Sequence, residues 1–356
     1  MNLDAGGAQT FVASLAIEQT KQGHEVSIII IDKLVNSNFQ KLLIGSLNQH
    51  GVDLHLLNRR VGRNITIVNT IKGIIQTLSL GEPDIINTHI PTAHLLVKLC
   101  LNFVLSKLKN RQVITVHNAP ENWSWLNFRF NSHTPTIYCS FSALQINRQR
   151  ACLKIAIQNG IPSIRTNYVT KQSYQFGNKD SRRVLCVGRL SSQKNYDLIC
   201  EIAKHFEGNG VDFLICGLKL GTAARDLANF SKTSNIYYLG IQTQEEIYSL
   251  MEHCDCFLNA SLYEGLPITV LEAFFSGIPC VLSRIPPHIE IGTDMPFCFM
   301  GELNSGGTFV NKIEIALNYT GSKEEIINLR QPFLNNYSIN TTASKYETFY
   351  NKVIAS

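Results

Sequence analysis

A chain of 356 residues is longer than one hydrophobic core ordinarily organises, so two domains are expected. With 44% hydrophobic and 17% charged residues, its composition is that of a globular protein and excludes a disordered or fibrous chain. The net charge of +5 is uneven: residues 1–160 carry +7 (15 Lys/Arg against 8 Asp/Glu) and the remainder −2 (17 against 19), a basic first half that suits an anionic acceptor, an anionic membrane surface, or simply a solvated face.

In chain order, a helix-like segment from Ala8 to Lys21 ends at Gly23 and leads into the β-branched run Glu25 to Ile31, fit for a buried parallel strand. The alternation continues through Val52 to Leu57, a helix over Ile65 to Leu80, a strand over Asp84 to Thr88, an apolar helix from Thr92 to Leu105, and strands over Gln112 to Val116 and Thr136 to Cys139. Lys98 and Asn102 interrupt the Thr92 helix, which falls short of a membrane span. Strands alternating with helices predict a parallel sheet covered on both faces, one doubly wound domain over residues 1–163. A polar, aperiodic stretch from Asn159 to Ser181 marks the junction, with the linker set at 164–181.

A second alternating series fills residues 182–339: strands at Val184 to Gly188, Val211 to Cys216, Ile236 to Leu239, Cys256 to Leu258 and Pro279 to Leu282. Helices lie between them near Tyr196 to Phe206, Thr222 to Phe230, Glu245 to Met251 and Pro267 to Phe275. Two α/β domains of this kind, facing one another, would leave a cleft at the carboxyl ends of their strands, where open parallel sheets bind ligands.

The ten cysteines are scattered through mostly apolar runs and read as buried free thiols of a reducing cytoplasm. Cys254 and Cys256 form a lone C-x-C with no histidine cluster, a poor zinc site, so no structural metal is expected. The Asn64 and Asn318 sequons carry no meaning without a secretory leader, and none is expected.

Chemistry gathers at strand ends. Gly188-Arg189-Leu190 follows a strand and Lys194-Asn195 precedes a helix, so Arg189 and Lys194 would share one loop where two cations can hold a diphosphate, or be ordinary solvated residues. In Glu264-Gly265-Leu266-Pro267-Ile268-Thr269, Pro267 fits the first helical position, and the amides of Ile268 and Thr269 would then face outward where an anion is favoured. Glu264 lies on the preceding loop and Glu272 in the second turn, so one carboxylate can face a sugar while the other accepts from ribose hydroxyls; capping and plain amphipathic positions are the alternatives. Gly6-Gly7 opens the first helix, where a phosphate could approach backbone amides or the glycines simply form a plain turn. His117 and, with weaker support, His89 each follow a strand, as active-site or as satisfied loop histidines.

Taken in order, Leu3 to Gln9, Gln22 to Val26, Asp84 to His89, Val116 to Asn118, Asn159 to Ile161, Val187 to Leu190 with Lys194-Asn195, Glu264 to Ala273 and Ser276 to Val281 resemble the landmarks of the large retaining glycosyltransferase family 4. That resemblance implies the two-domain α/β GT-B fold and a nucleoside diphosphate sugar held mainly by the C-terminal domain. It implies no cofactor and no catalytic metal, a glycan or lipid-linked acceptor held mainly by the N-terminal domain, and a final helix over 340–356 returning to that domain. Carried onto matching positions, Arg189 and Lys194 would neutralise the diphosphate, Gly7 would lie beside it, Glu264 would contact sugar hydroxyls, Glu272 the ribose, and His117 would lie beside the sugar.

The expected setting is surface polysaccharide synthesis in the cytoplasm, with contact to the anionic inner face of the membrane and no nucleic acid. Two departures stand out. Met1-Asn2-Leu3 leaves no room for the apolar strand with which the family opens, so either the true start lies upstream or the first sheet lacks its central strand, and the family's glycine-rich turn survives only as Cys216 to Gly221. A sugar-nucleotide epimerase of similar fold and an inactive nucleotide-sugar-binding protein are the other readings.

Overall fold

In a computed structural model the described residues are 6–34, 37–60, 65–117, 131, 133–146, 153–162, 180–219, 228 and 230–356. The expected linker, the expected helix near 222–230, Asp4, Asn118, Cys152 and the end of the 216–221 turn lie wholly or largely outside them. The chain divides into two compact units, residues 1–162 with 338–356, and residues 163–337.

The first unit contains α1 (Gly7–Lys21), β1 (Ser27–Asp32), α2 (Asn38–Gln49), β2 (Asp53–Arg59), α3 (Ile65–Gly81), β3 (Ile86–Thr88), α4 (Pro91–Phe103), β4 (Gln112–Val116), β5 (Thr136–Tyr138), α5 (Phe141–Ile146) and β6 (Lys154–Ala156). All strand pairs are parallel, but the expected single sheet comes in two pieces, β1-β2 and β3-β4-β5-β6, because no strand among the described residues bonds β1 to β3. One core still spans both pieces: Ile29 of β1 and Leu57 of β2 pack with Ile74, Leu78, Ile86 and Leu96. Sequence reading missed α2. Only Gln40 and Leu47 of that helix are buried, so its apolar stripe is thin, and its start depends on Ser37 accepting a bond from the Gln40 amide.

The last helix, α12 (Ile339–Ile354), belongs to this unit. Its fully buried Tyr346 lies 6.2 Å from the Phe11 ring of α1, Asn340 Nδ2 donates to Glu18 Oε1 at 3.0 Å, and Asn87 Nδ2 donates to the Tyr350 hydroxyl at 2.7 Å. Gly160 admits this arrangement, since a Cβ there would sit 2.3 Å from the Ser338 carbonyl oxygen.

The second unit runs β7 (Arg182–Val187), α6 (Tyr196–His205), β8 (Val211–Cys216), β9 (Ile236–Gly240), α7 (Gln244–His253), β10 (Cys256–Asn259), α8 (Ile268–Phe275), β11 (Cys280–Ser283), α9 (Pro286–Gly292), β12 (Cys298–Gly301), α10 (Gly306–Leu317) and α11 (Lys323–Leu334). Its strands form one parallel sheet in the order β12-β11-β10-β7-β8-β9, the doubly wound arrangement whose strand order reverses between β7 and β10. Strands buried along their length, such as Val184, Phe213 and Phe257 at 0% exposure, require helices on both faces.

Arg330 of α11 is fully buried and has no ion pair among the described residues. Its guanidinium donates to the carbonyls of Phe274 and Ile278 (both 3.2 Å), Pro296 (3.0 Å) and Phe297 (3.4 Å), and stacks 5.0 Å from the Phe274 ring. It thereby holds the carboxyl end of α8, where a cation also complements the helix dipole. Arg330→Met keeps the length and removes every donor, so unfolding free energy should fall by about 3 kcal/mol, mainly from stranded carbonyls. Thermal denaturation followed by circular dichroism checks this, and an unchanged Tm would contradict it.

Candidate functional site

The reversal between β7 and β10 sets two loops side by side at the carboxyl ends of their strands. After β7 come Gly188, Arg189 and Leu190, then a short 3₁₀ turn, Ser192–Lys194, closed by Asn195 in the left-handed conformation (φ 54°, ψ 49°), which asparagine tolerates better than most residues. A Cβ on Gly188 would lie 2.7 Å from Lys194 Cε, so the glycine gives the lysine stem room to cross the backbone.

After β10, Asn259 leads through Ser261 and Glu264 to α8. Pro267 is the cap of that helix (φ −77°, ψ 102°) rather than its first residue, which corrects the expected start by one position. Its carbonyl accepts from Val270 (3.1 Å) and Leu271 (3.3 Å), and the amides of Ile268 and Thr269 have no acceptor among the described residues. Gly265, Leu266 and Pro267 are buried and carry the chain from Glu264 into the helix.

Four bonds stitch the loops together. The Leu262 amide donates to the Gln193 carbonyl (2.8 Å), and Gln193 Nε2 donates to the Tyr263 carbonyl (2.9 Å) and to Glu264 Oε2 (3.1 Å). Lys194 Nζ meets Glu264 Oε1 at 2.6 Å, with the two side chains only 16% and 8% exposed. Ser261 Oγ is also 2.7 Å from Glu264 Oε1. Burial alone pushes the Glu264 carboxyl up, but the Lys194 charge, the His288 imidazole and the bonds from Lys194 and Ser261 outweigh it and hold the group below its ordinary value. The two expected cations are therefore unlike: Lys194 is paired internally, while Arg189 is exposed and has no ion pair among the described residues.

Glu272 is in the second turn of α8, as expected, but is 3% exposed. Gln244 Nε2 donates to its Oε1, and burial pushes its carboxyl up to about 7. Gly7 opens α1 in the first unit and is exposed. His117 Nε2 lies 2.9 Å from His89 Nδ1, the rings stacked 5.2 Å apart, with Phe11 edge-on at 5.5 Å. Burial lowers His117 to about 4 and His94 to about 3, and burial with the charges of His117 and His94 lowers His89 well below its ordinary value, so all three are neutral at physiological pH. His117 Nδ1 is buried with no partner among the described residues.

Gln193, Gln244, Asn259 and His288 were not anticipated. Gln193 adjoins Lys194, and His288 follows Pro286-Pro287 just past the end of β11, the same strand-to-helix signal that marked the other positions. Among the described residues no group of three or more His, Cys, Asp or Glu could hold a metal, nine cysteines are free, and no helix is long and apolar enough to cross a membrane.

The raised Glu272 carboxyl carries a definite sign. Between its unfolded value near 4.5 and its folded value near 7 the folded state holds a proton that the unfolded state has lost, so stability falls as pH rises through this window and levels off above it. Glu272→Gln should abolish a slope worth on the order of 3 kcal/mol, gaining on the wild type at pH 8 relative to pH 5. Denaturant titrations at both pH values test this, and parallel pH profiles for the two proteins would refute it.

Comparison with known sequences matches residues 5–188 to the family described as Glycosyltransferase Family 4 and residues 170–328 to that described as Glycosyl transferases group 1. The putative glycosyltransferase EpsF of Bacillus subtilis (strain 168) is 34% identical over 111 residues, 30% of this chain and 28% of EpsF, so that match spans under a third of EpsF. The UDP-Gal:alpha-D-GlcNAc-diphosphoundecaprenol alpha-1,3-galactosyltransferase of Escherichia coli is 24% identical over 327 residues, 81% of each protein. Among solved structures, Anabaena HepE in complex with UDP and glucose superposes with a TM-score of 0.79 at 17% identity, covering 98% of this chain and 97% of HepE. Sucrose-phosphate synthase from Thermosynechococcus elongatus gives 0.78 at 12%, covering 99% and 95%. The shared fold is GT-B, an α/β architecture of parallel sheets. With more than half of its length matched by the family model, the chain belongs to glycosyltransferase family 4.

Proposed function

We propose that the chain is a retaining, metal-independent hexosyltransferase, moving a sugar from a nucleoside diphosphate sugar to a glycan or lipid-linked saccharide during surface polysaccharide assembly. The observation that carries this reading is the Lys194–Glu264 pair, stitched across the strand reversal of the second unit beside the open amides of Ile268 and Thr269. The name of the Escherichia coli relative, with a UDP-galactose donor and a diphosphoundecaprenol-linked acceptor, supports this substrate class, as do the UDP and UDP-glucose complexes of HepE.

In this reading the donor sits on the second unit. Charge grows on the leaving diphosphate as the anomeric bond breaks, and Arg189, Lys194 and the α8 amides, preset where that charge develops, lower the barrier. Glu264 with Gly265, Leu266 and Pro267 lines the sugar, and Glu272, whose carboxyl burial pushes up to about 7, meets the ribose. The first unit holds the acceptor, and His117 contributes as a neutral imidazole. The basic charge of residues 1–160 favours work at the inner face of the plasma membrane.

Retention by double displacement needs a carboxylate free to attack the anomeric carbon. Glu264 is a poor nucleophile, since Lys194, Ser261 and Gln193 occupy its oxygens. Front-face substitution fits better: the bond from the anomeric carbon to the phosphate oxygen breaks, the acceptor oxygen bonds on the same face, and its proton passes to the leaving phosphate.

Glu264→Gln should reduce kcat by about 100-fold or more while changing nucleoside diphosphate affinity less than about threefold. Steady-state kinetics over a panel of nucleotide sugars, paired with calorimetry, measures both, and full transfer by this variant would sink the assignment. Activity in excess EDTA is expected to match that in its absence, and loss restored by a divalent cation would overturn metal independence.

A further inference from the structure

His288 is set just past the first residues of α9, is fully buried, and has no role in the reading above. Its Nδ1 lies 2.8 Å from the Ser283 carbonyl oxygen and 3.1 Å from Ser283 Oγ. A carbonyl only accepts, so Nδ1 carries the proton. The hydroxyl hydrogen of Ser283 is itself committed to the Ser261 carbonyl at 2.6 Å. In the neutral ring Nε2 is therefore a bare lone pair, and it has no partner among the described residues. Burial, opposed by Glu264 and the Ser283 carbonyl and assisted by Lys194, lowers the imidazole to about 4, which keeps the ring neutral at physiological pH. A buried acceptor left empty costs about 1–3 kcal/mol, so such a group calls for an occupant.

The same network holds a second orphan of opposite character. Asn259 is 4% exposed, and its Oδ1 is identified by the Ser261 amide, which can only donate, at 3.0 Å. Its Nδ2 is then a buried donor with no acceptor among the described residues. Ser261 Oγ, 2.6 Å from Asn259 Oδ1 and 2.7 Å from Glu264 Oε1, has one proton for two acceptors. From His288 through Ser283 and Ser261 to Glu264 the bonds are continuous, yet the chain ends in an unused acceptor and has an unused donor at Asn259. A phosphate oxygen only accepts and cannot satisfy Nε2. A sugar hydroxyl both donates and accepts.

We propose that His288 is a specificity-determining residue of the donor site, whose Nε2 accepts a hydrogen bond from a hydroxyl of the transferred sugar beside Glu264. The inference deepens the nucleotide-sugar reading and rests on it.

The test uses the full chain and calorimetric titration with UDP, GDP and ADP, alone and as glucose, galactose and mannose conjugates. His288→Asn keeps an N–H near the Nδ1 position and lacks the acceptor, whereas His288→Gln restores a polar amide near Nε2. The Asn variant should bind its best nucleotide sugar at least about tenfold more weakly, with affinity for the bare nucleotide within about twofold of wild type, and the Gln variant should recover part of the loss. If only the Gln variant folds, its preference between epimeric hexoses should shift by about tenfold.

Wild-type affinity for the nucleotide sugar in the Asn variant would overturn the proposal, leaving His288 an anchor of α9 or the seat of an ordered water. Equal weakening toward bare nucleotide and nucleotide sugar, or an unchanged hexose preference in the Gln variant, would overturn it as well. If the wild-type chain binds no nucleotide and no nucleotide sugar, the broader donor reading fails first, an outcome distinct from losses confined to His288 variants.

Discussion

The second unit depends on the ion pair between Lys194 and Glu264. An isolated carboxylate as buried as Glu264 would be driven neutral, and a lysine beside it would lose its partner. Held at 2.6 Å and supplemented by Ser261 and Gln193, the pair fixes two loops that would otherwise move independently at the ends of β7 and β10. Loop geometry follows from it: the glycine at 188, the left-handed Asn195 and the Pro267 cap are the backbone conditions under which the two side chains meet. Such a pair is a device of position more than of stability, because desolvation cancels much of its attraction.

The helix that follows Glu264 is constrained at both ends. Its amino end leaves two amides without an acceptor among the described residues, and its carboxyl end is held by Arg330 through the Phe274 carbonyl and the Phe274 ring. With donors left unmet at one end and supplied to the carbonyls at the other, α8 is an oriented dipole anchored from behind. Glu272, buried on its flank with Gln244, adds a carboxyl whose charge is poised near neutrality.

Much of this was legible in the sequence because parallel α/β folds write their strands as apolar runs and place their chemistry at strand ends. Gln112 to Val116 was read to the residue, and Arg189, Lys194 and Glu264 lie on strand-to-helix junctions of one sheet, with Glu272 in the helix that follows one of them. What escaped had physical reasons. The thin apolar stripe of α2 carries little period, and α5 and β6 are too short to show any. That Lys194 would spend its charge on Glu264 rather than stand free beside Arg189 depends on a distance across 70 residues that no local pattern reports. His288 was invisible because its interest lies in what it fails to bond, and an unmet lone pair leaves no mark on a sequence.

The return of α12 to the first unit has a consequence for how the chain reaches its native state. Tyr346 and Phe349 of that helix are core residues, packed with elements made more than 180 residues earlier. During synthesis the second unit has every strand and helix it needs while the first still lacks a wall of its core. Vectorial folding from the ribosome is therefore inverted: the domain that emerges first is completed last, and until α12 arrives the apolar face of α1 around Phe11 stays open to solvent and to chaperones.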